Sequence, residues 1–207
     1  MARPIGNKQV TEQRRLQMLL AAISAFAKNG YSGSSLKTIA DSVGVTEAAL
    51  LHHFGTKAGL MAEVLQYRDI TSESIVSEAE AAGFSFPRTW IEVIKANVAN
   101  RGLVELFAKM AAEATNSDHP AHAFFLRRYF KLQQQLTDYF SIMQQRGDLT
   151  STSRPSRLSL ELIALSDGLQ NAWLMDPDVD MVEIQVDFFR DCTTVEAFAA
   201  SFPEWLD

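Results

Sequence analysis

With 207 residues, the chain is long enough to bury roughly 70% of its unfolded surface, so it needs no disulfide or metal staple. Hydrophobic residues make up 47% and charged residues 21%, which excludes a disordered chain. The formal charge of −6 argues against a nucleic-acid binder only until the chain is divided. Residues 1–60 carry seven basic groups (Arg3, Lys8, Arg14, Arg15, Lys28, Lys37, Lys57) against Glu12, Asp41 and Glu47, a net of +4. The remainder carries 12 basic and 22 acidic groups, a net of −10. A basic head on an acidic body is the asymmetry expected when one end meets a polyanion.

The single cysteine, Cys192, cannot close an intramolecular disulfide, which points to a reducing compartment and a cytoplasmic protein. No apolar run approaches the ~20 residues that span a bilayer, so no membrane partner is expected. Arg14 and Arg15 before the apolar stretch 18–27 imitate a signal peptide, with Ala25-Phe26-Ala27 as its cleavage site. The helical periodicity of that stretch marks it instead as a buried helix.

Helical spacing continues along almost the whole chain. Leu16, Leu19, Leu20, Ile23, Phe26 and Ala27 share a face of the first helix, which Gly30 stops. Leu36, Ile39, Ala40 and Val43 form a second, two-turn helix, with Ser34 placed to cap it and Gly44 to end it. Thr46 caps a third short helix whose Leu50 and Phe54 face inward, and Thr56 caps a fourth from Lys57 to about residue 80. Pro87 marks the clearest break, at 83–87. Helices follow at about 88–100, 102–116, 121–146, 156–175, 179–190 and 194–200, with a polar loop at 147–155. The fold class is therefore all-α: a three-helix head at 1–56, a connecting helix at 57–82, and a larger helical body at 83–207.

Two short helices around a glycine turn, at about 35–54, make a helix-turn-helix pattern. Leu36, Ile39, Ala40, Val43, Val45, Leu50 and Phe54 tie the pair to Ala22, Ile23 and Phe26 of the first helix. At ~100° per residue, Ala48 and His52 point away from Leu50, flanked by Glu47 and Leu51. That face suits a DNA major groove. Phosphate contacts fall to Ser35 and Lys37 at the start of the second helix, Thr46 at the third, and His53 and Lys57 just beyond.

From Thr11 to about Leu65 the chain resembles the DNA-binding domain of the tetracycline-repressor (TetR) family of bacterial regulators. The string AFAKNGYSGSSLKTIADSVGVTEAALLHHFGTKAGL carries the likeness. Gly30-Tyr31, Ser35, Ile39-Ala40, Gly44-Val45, Leu50, His53-Phe54 and Lys57 stand where the family pattern puts them. The resemblance implies a homodimer whose heads bind double-stranded operator DNA and whose bodies bind a small ligand that releases it. Two departures stand out. Leu51 and His52 occupy the places where the family often has tyrosine and a second aromatic residue. Ala48-Ala49 leaves few side chains to hydrogen-bond bases, so readout falls to Lys37, Thr38, Glu47 and His52, with methyl contacts from Ala48 or Leu51.

The body resembles the family in layout alone. On the 121–146 helix, Phe125, Tyr129, Leu132, Leu136, Tyr139, Phe140 and Met143 form an apolar stripe. The 156–175 helix has two such faces, one with Leu158, Leu162, Leu165, Leu169 and Trp173, the other with Leu160, Ile163 and Ala164 beside Gly168. Two faces imply two neighbours, so Leu136, Tyr139, Phe140, Ala164, Gly168 and Leu169 are the candidate dimer contacts. Polar groups among aromatic residues suggest a pocket for a small apolar ligand: Asn97, Glu113, Asp167 and Gln170, with Phe107, Met110, Phe125, Tyr129 and Trp173 as walls. His119 and His122 have metal-ligand spacing, but such a pair at a helix start commonly stays exposed, so no metal is expected. With no phosphate loop, dinucleotide fingerprint or serine elbow, neither an enzyme nor a cofactor is expected. The competing readings are a helical ligand-binding protein or enzyme whose head has lost DNA binding, and a family member that activates transcription.

Overall fold

The structure, a computed structural model, describes residues 5–150 and 154–206, with side chains from residue 10 onward. Of the polar loop at 147–155, residues 151–153 lie outside the described residues, as does Arg3 of the basic head. Ten α-helices are described: α1 (Ile5–Gly33), α2 (Leu36–Ser42), α3 (Glu47–Phe54), α4 (Lys57–Ala81), α5 (Arg88–Ala99), α6 (Arg101–Glu113), α7 (His122–Arg146), α8 (Pro155–Met175), α9 (Met181–Cys192) and α10 (Val195–Ser201). A 3-10 turn at Pro203–Trp205 follows. Among the described residues, the one extended pairing is a β-bridge between Leu149 and Thr193.

The boundaries follow from local chemistry. Gly30 breaks the helical path of α1 at φ 71 and ψ 179, a conformation that side-chain-bearing residues avoid. The α6 helix stops three residues before its sequence expectation. Thr115 and Asn116 there bond to the carbonyls of Ala112 and Glu113, a tightened turn that ends the α-helical ladder. The cap of α2 corrects the sequence reading. Ser35, not Ser34, accepts from the Thr38 N–H at 3.0 Å. Ser34 is buried and donates instead to the carbonyls of Gly30 and Ala25, tying the break in α1 to the start of α2.

The chain divides into two compact units: residues up to 69 with 102–124, and residues 70–101 with 125 onward. This partition differs from the division read from the sequence, because α6 packs with the head. In the first unit, Met18, Ala22 and Phe26 of α1 lie in one core with Ile39 and Ala40 of α2 and Leu50 of α3. Leu60, Met61 and Val64 of α4 are buried there too, as are Val104, Leu106 and Met110 of α6. Leu36, Val43 and Val45 are half-buried, so they edge this core rather than fill it. Leu16 and Leu20, expected inside, are 43% and 47% exposed. Gly59 is required by space: a methyl there would sit 2.2 Å from the Phe54 carbonyl oxygen. Only glycine lets the first turn of α4 close over the end of α3.

The second unit is built on Ile91, Leu136, Phe140, Met143, Leu158, Leu162, Val186, Phe189 and Phe202. Phe86 anchors it by stacking on Tyr139 at 4.9 Å and meeting Phe140 and Phe189 edge-on at 5.2 and 5.5 Å. Fully burying one such phenylalanine contributes about 1.5–3 kcal/mol. The seam between α7 and α8 is polar at two points. The Tyr129 hydroxyl donates to Asp167 at 2.6 Å, and the Thr137 and Ser159 hydroxyls share a bond of 2.9 Å.

Candidate nucleic-acid interface

The outward side of the head begins with its caps. Thr46 accepts from the Ala49 N–H at 3.2 Å and Thr56 from the Gly59 N–H at 2.9 Å. With Ser35 on Thr38, three consecutive helices therefore start on a hydroxyl cap, and their first turns are fixed before any ligand arrives. The Ser35 and Thr38 hydroxyls also bond each other at 2.8 Å. Gly44 carries the chain between α2 and α3 at φ 65, a left-handed turn that glycine makes without strain.

Leu50 and Phe54 are buried, and the opposite face of α3 is open. Glu47, Ala48, Leu51 and His52 are exposed there, as are Ser35, Lys37 and Thr38 on α2. His53 is half-buried between the His52 ring, at 5.6 Å, and the Phe54 ring, at 6.1 Å. Lys57, also half-buried, lays its ammonium over the Tyr31 ring at 4.4 Å. Burial on that ring lowers its pKa, and the charge of Glu113 opposes the shift. A stem held against an aromatic face loses less freedom on meeting a phosphate than a free lysine would.

Arg15 of the basic head has a different place. Its guanidinium pairs with Glu63 at 2.6 Å and lies 5.3 Å over the Phe54 ring, joining α1, α3 and α4.

The support behind Lys57 is not legible in the sequence. Glu113, placed by sequence among ligand-pocket residues, turns its carboxylate to the head. It accepts from the Tyr31 N–H at 3.1 Å and lies 3.2 Å from His119 Nε2. A methyl on Gly30 would sit 2.2 Å from its Oε1, so the glycine makes room for the carboxylate. The Tyr31 ring meets His119 edge-on at 5.2 Å, and burial raises the pKa of its phenol. Lys109, one turn earlier on α6, donates to the carbonyls of Ala27 and Lys28, just before the Gly30 break in α1. Carbonyls at the end of a helical ladder need donors from elsewhere, and this ammonium is one. The acid-and-lysine spacing on α6 was visible in sequence, but its target lies some eighty residues away.

The remaining sequence-assigned residues are distributed as follows. Phe107 and Met110 are buried in the first unit, with the Arg68 guanidinium 3.7 Å over the Phe107 ring. Asn97, Phe125, Tyr129, Asp167, Gln170 and Trp173 belong to the second unit. Tyr129 and Asp167 meet directly there, while Phe125, Gln170 and Trp173 are buried. Among the candidate dimer contacts, Leu136 and Phe140 are interior residues of the second unit, and Leu169 is nearly so. Their burial is accounted for within the chain. Tyr139, Ala164 and Gly168 are exposed. His119 Nδ1 accepts from the Ala121 N–H, and His122 Nδ1 lies 2.8 Å from the Ala114 carbonyl oxygen.

Two short capped helices crossing on a shared core, with an open polar face on the second, define a helix-turn-helix DNA-binding head on a helical body. Residues 18–64 match the family model described as bacterial regulatory proteins, tetR family. The HTH-type transcriptional regulator TtgR of Pseudomonas putida is 25% identical over 187 residues, covering 84% of this chain and 87% of its own. The HTH-type transcriptional regulator AcrR of Shigella flexneri is 25% identical over 211 residues, covering 91% and 94%. The crystal structure of NalD, the secondary repressor of the MexAB-OprM multidrug efflux pump in Pseudomonas aeruginosa, has the same fold, with a TM-score of 0.70 at 23% identity. It covers 90% of this chain and 99% of that one. Residues 18–64 thus match the tetR-family DNA-binding domain, and the chain is a DNA-binding transcriptional regulator.

Proposed function

We propose that the protein is a ligand-responsive repressor that acts in the cytoplasm and binds a palindromic operator as a homodimer. The observation that carries the reading is the open α3 face of Glu47, Ala48, Leu51 and His52, held between three hydroxyl-capped helix starts. Ser35, Lys37, Thr46, His53 and Lys57 ring that face as phosphate contacts, and Lys37, Thr38, Glu47 and His52 read bases. TtgR and AcrR, regulators by name, and NalD, a repressor by name, support the regulatory role.

A homodimer would account for surface that nothing among the described residues covers. Leu126 and Phe130 on α7 are each 64% exposed, and Leu160 on α8 is 55% exposed. Ala164 and Gly168 continue the Leu160 face, and a methyl built on Gly168 meets nothing within 4 Å. Packing inside the subunit gives no reason for that glycine; a partner helix in close approach does. Two-fold symmetry in the protein then demands half-sites about one turn of DNA apart, or a multiple. In the second unit, Tyr129, Asp167 and the aromatic residues around them supply the mixed lining that small-molecule sites use. A ligand that favours one spacing of the heads releases DNA with a coupling of about 1–3 kcal/mol.

The test is selection of bound fragments from random DNA with purified protein. A recovered palindrome supports the reading, and no enrichment at moderate salt overturns it. His52→Ala changes which bases are selected.

A further inference from the structure

The second unit holds a half-open cleft of about 400 Å³ between α5, the end of α8, the α8–α9 connection and the 3-10 turn. Its size is that of small-molecule sites. Two indoles line it, Trp173 from α8 and Trp205 from the 3-10 turn, with Val98 of α5 and Val182 of α9 as apolar wall. The connection itself reads Asp176-Pro177-Asp178-Val179-Asp180.

The charges in the cleft are not balanced. Asp180 is held as the cap of α9, accepting from Val182 and Glu183 at 2.9 Å each. Asp176 accepts from the Asp178 N–H at 3.1 Å. Among the described residues, the Asp178 carboxylate has no hydrogen bond or ion pair, and it is exposed at the cleft. The one cation in the lining, Lys95, is already matched: its ammonium lies 3.0 Å from Glu92. Arg101 stands 5.0 Å over the Trp173 ring and donates to the carbonyls of Trp173 and Leu174. It thereby closes the end of α8. What is left facing the space is the Asp178 carboxylate, the Trp205 indole and the apolar wall.

Aromatic faces carry negative charge density and attract cations that are weakly hydrated, and a carboxylate beside them adds a point charge. A small metal ion holds its water too firmly for such a wall, whereas an alkylated ammonium presents both charge and apolar surface. We propose that this cleft binds an organic ammonium ion, its alkyl groups against Trp205 and Val98 and its charge beside Asp178. The proposal rests on the reading of the body as a ligand-binding domain and places a ligand of stated class in a cleft separate from Tyr129 and Asp167. It is tested without DNA, so its failure and the failure of operator binding are separate results.

The experiment is calorimetric titration of the full-length protein with three aromatic probes of one shape: trimethylphenylammonium, uncharged tert-butylbenzene, and anionic tert-butylbenzoate. The cation is expected to bind at least tenfold tighter than the other two. Trp205→Ala should weaken it about tenfold and Asp178→Asn severalfold, with quenching of tryptophan fluorescence lost in parallel. Val98→Arg, at a position 40% exposed, places a repelling charge at the mouth without touching a core and should abolish binding. Equal affinity for the uncharged or anionic probe, no binding of the cation, or full affinity in Asp178→Asn and Val98→Arg overturns the proposal.

Discussion

Three glycines, two in the first unit and one in the second, show how differently the two are packed. Gly59 in the head lies where a methyl would meet a backbone oxygen at 2.2 Å, and Gly30 lies where it would meet the Glu113 carboxylate at the same distance. Gly168 in the body has open space around it. Gly59 and Gly30 are therefore explained inside the chain, by a close crossing and by room left for a carboxylate. On the α8 face a methyl at Gly168 meets nothing among the described residues, and the proposed partner subunit would fill that space. On the homodimer proposed above, the exposed flank of the body is the half of an interface that a second copy completes.

The sharpest way to break that comparison is a charge on the α8 face. Leu160→Arg should leave the subunit folded, because the side chain is 55% exposed, yet cost the dimer about 3–5 kcal/mol by burying an unpaired charge. Sedimentation should then show a monomer where the wild type is a dimer at micromolar concentration. A monomeric wild type would remove the body's half of the argument. Leu169→Arg is the contrasting variant: at 9% exposure it should unfold the subunit itself.

Smaller, and aimed at the head, is Gly59→Ala. Overpacking against backbone should cost about 1–3 kcal/mol of stability in chemical denaturation. Gly168→Ala should change subunit stability by less than ~1 kcal/mol, in the stabilising direction, while weakening the dimer. Equal effects at the two positions would erase the difference between the units. Ser35→Ala should cost about 1 kcal/mol through loss of the α2 cap. Ser34→Ala should cost a similar amount for another reason, since two carbonyls lose their buried donor.

The effect of Lys57→Ala is read on DNA rather than on stability. Affinity should fall about equally for cognate and random sequences, and each lost phosphate contact should flatten the log–log salt slope by about 0.9. A changed base preference with an unchanged slope would assign Lys57 to base reading.

The smallest effect belongs to Cys192. Burial pushes its thiol from the ordinary 9.0 up to about 12, with a backbone hydrogen bond opposing. Because the folded value is raised, its contribution to stability is whole below pH 9 and is lost as pH rises toward 12. Near neutral pH a thiol reagent should label it only in denaturant, with no change in operator affinity in native protein.

Sequence by itself determined the helices, the hydroxyl starts of α3 and α4, the glycine turn and the open face of α3. Each of these is set by groups within about four residues, such as Thr46 against the Ala49 N–H, and short-range hydrogen bonding and helical periodicity are legible along a chain. Ser34 and Ser35 were not separable that way. Both hydroxyls stand at the right place, and only the packing of α1 decides which is buried. Glu113 and Lys109 escape a sequence reading for the same reason at longer range. Their residue types announce a polar contact, but the partners, Tyr31 N and the carbonyls before the α1 break, arrive from eighty residues away. The apolar stripes of α7 and α8 showed how much surface had to be covered. Which part is covered within the subunit, as Leu136 and Phe140 are, and which stays open, as Phe130 and Leu160 do, was settled by the tertiary structure alone, because burial is a property of neighbours and not of spacing.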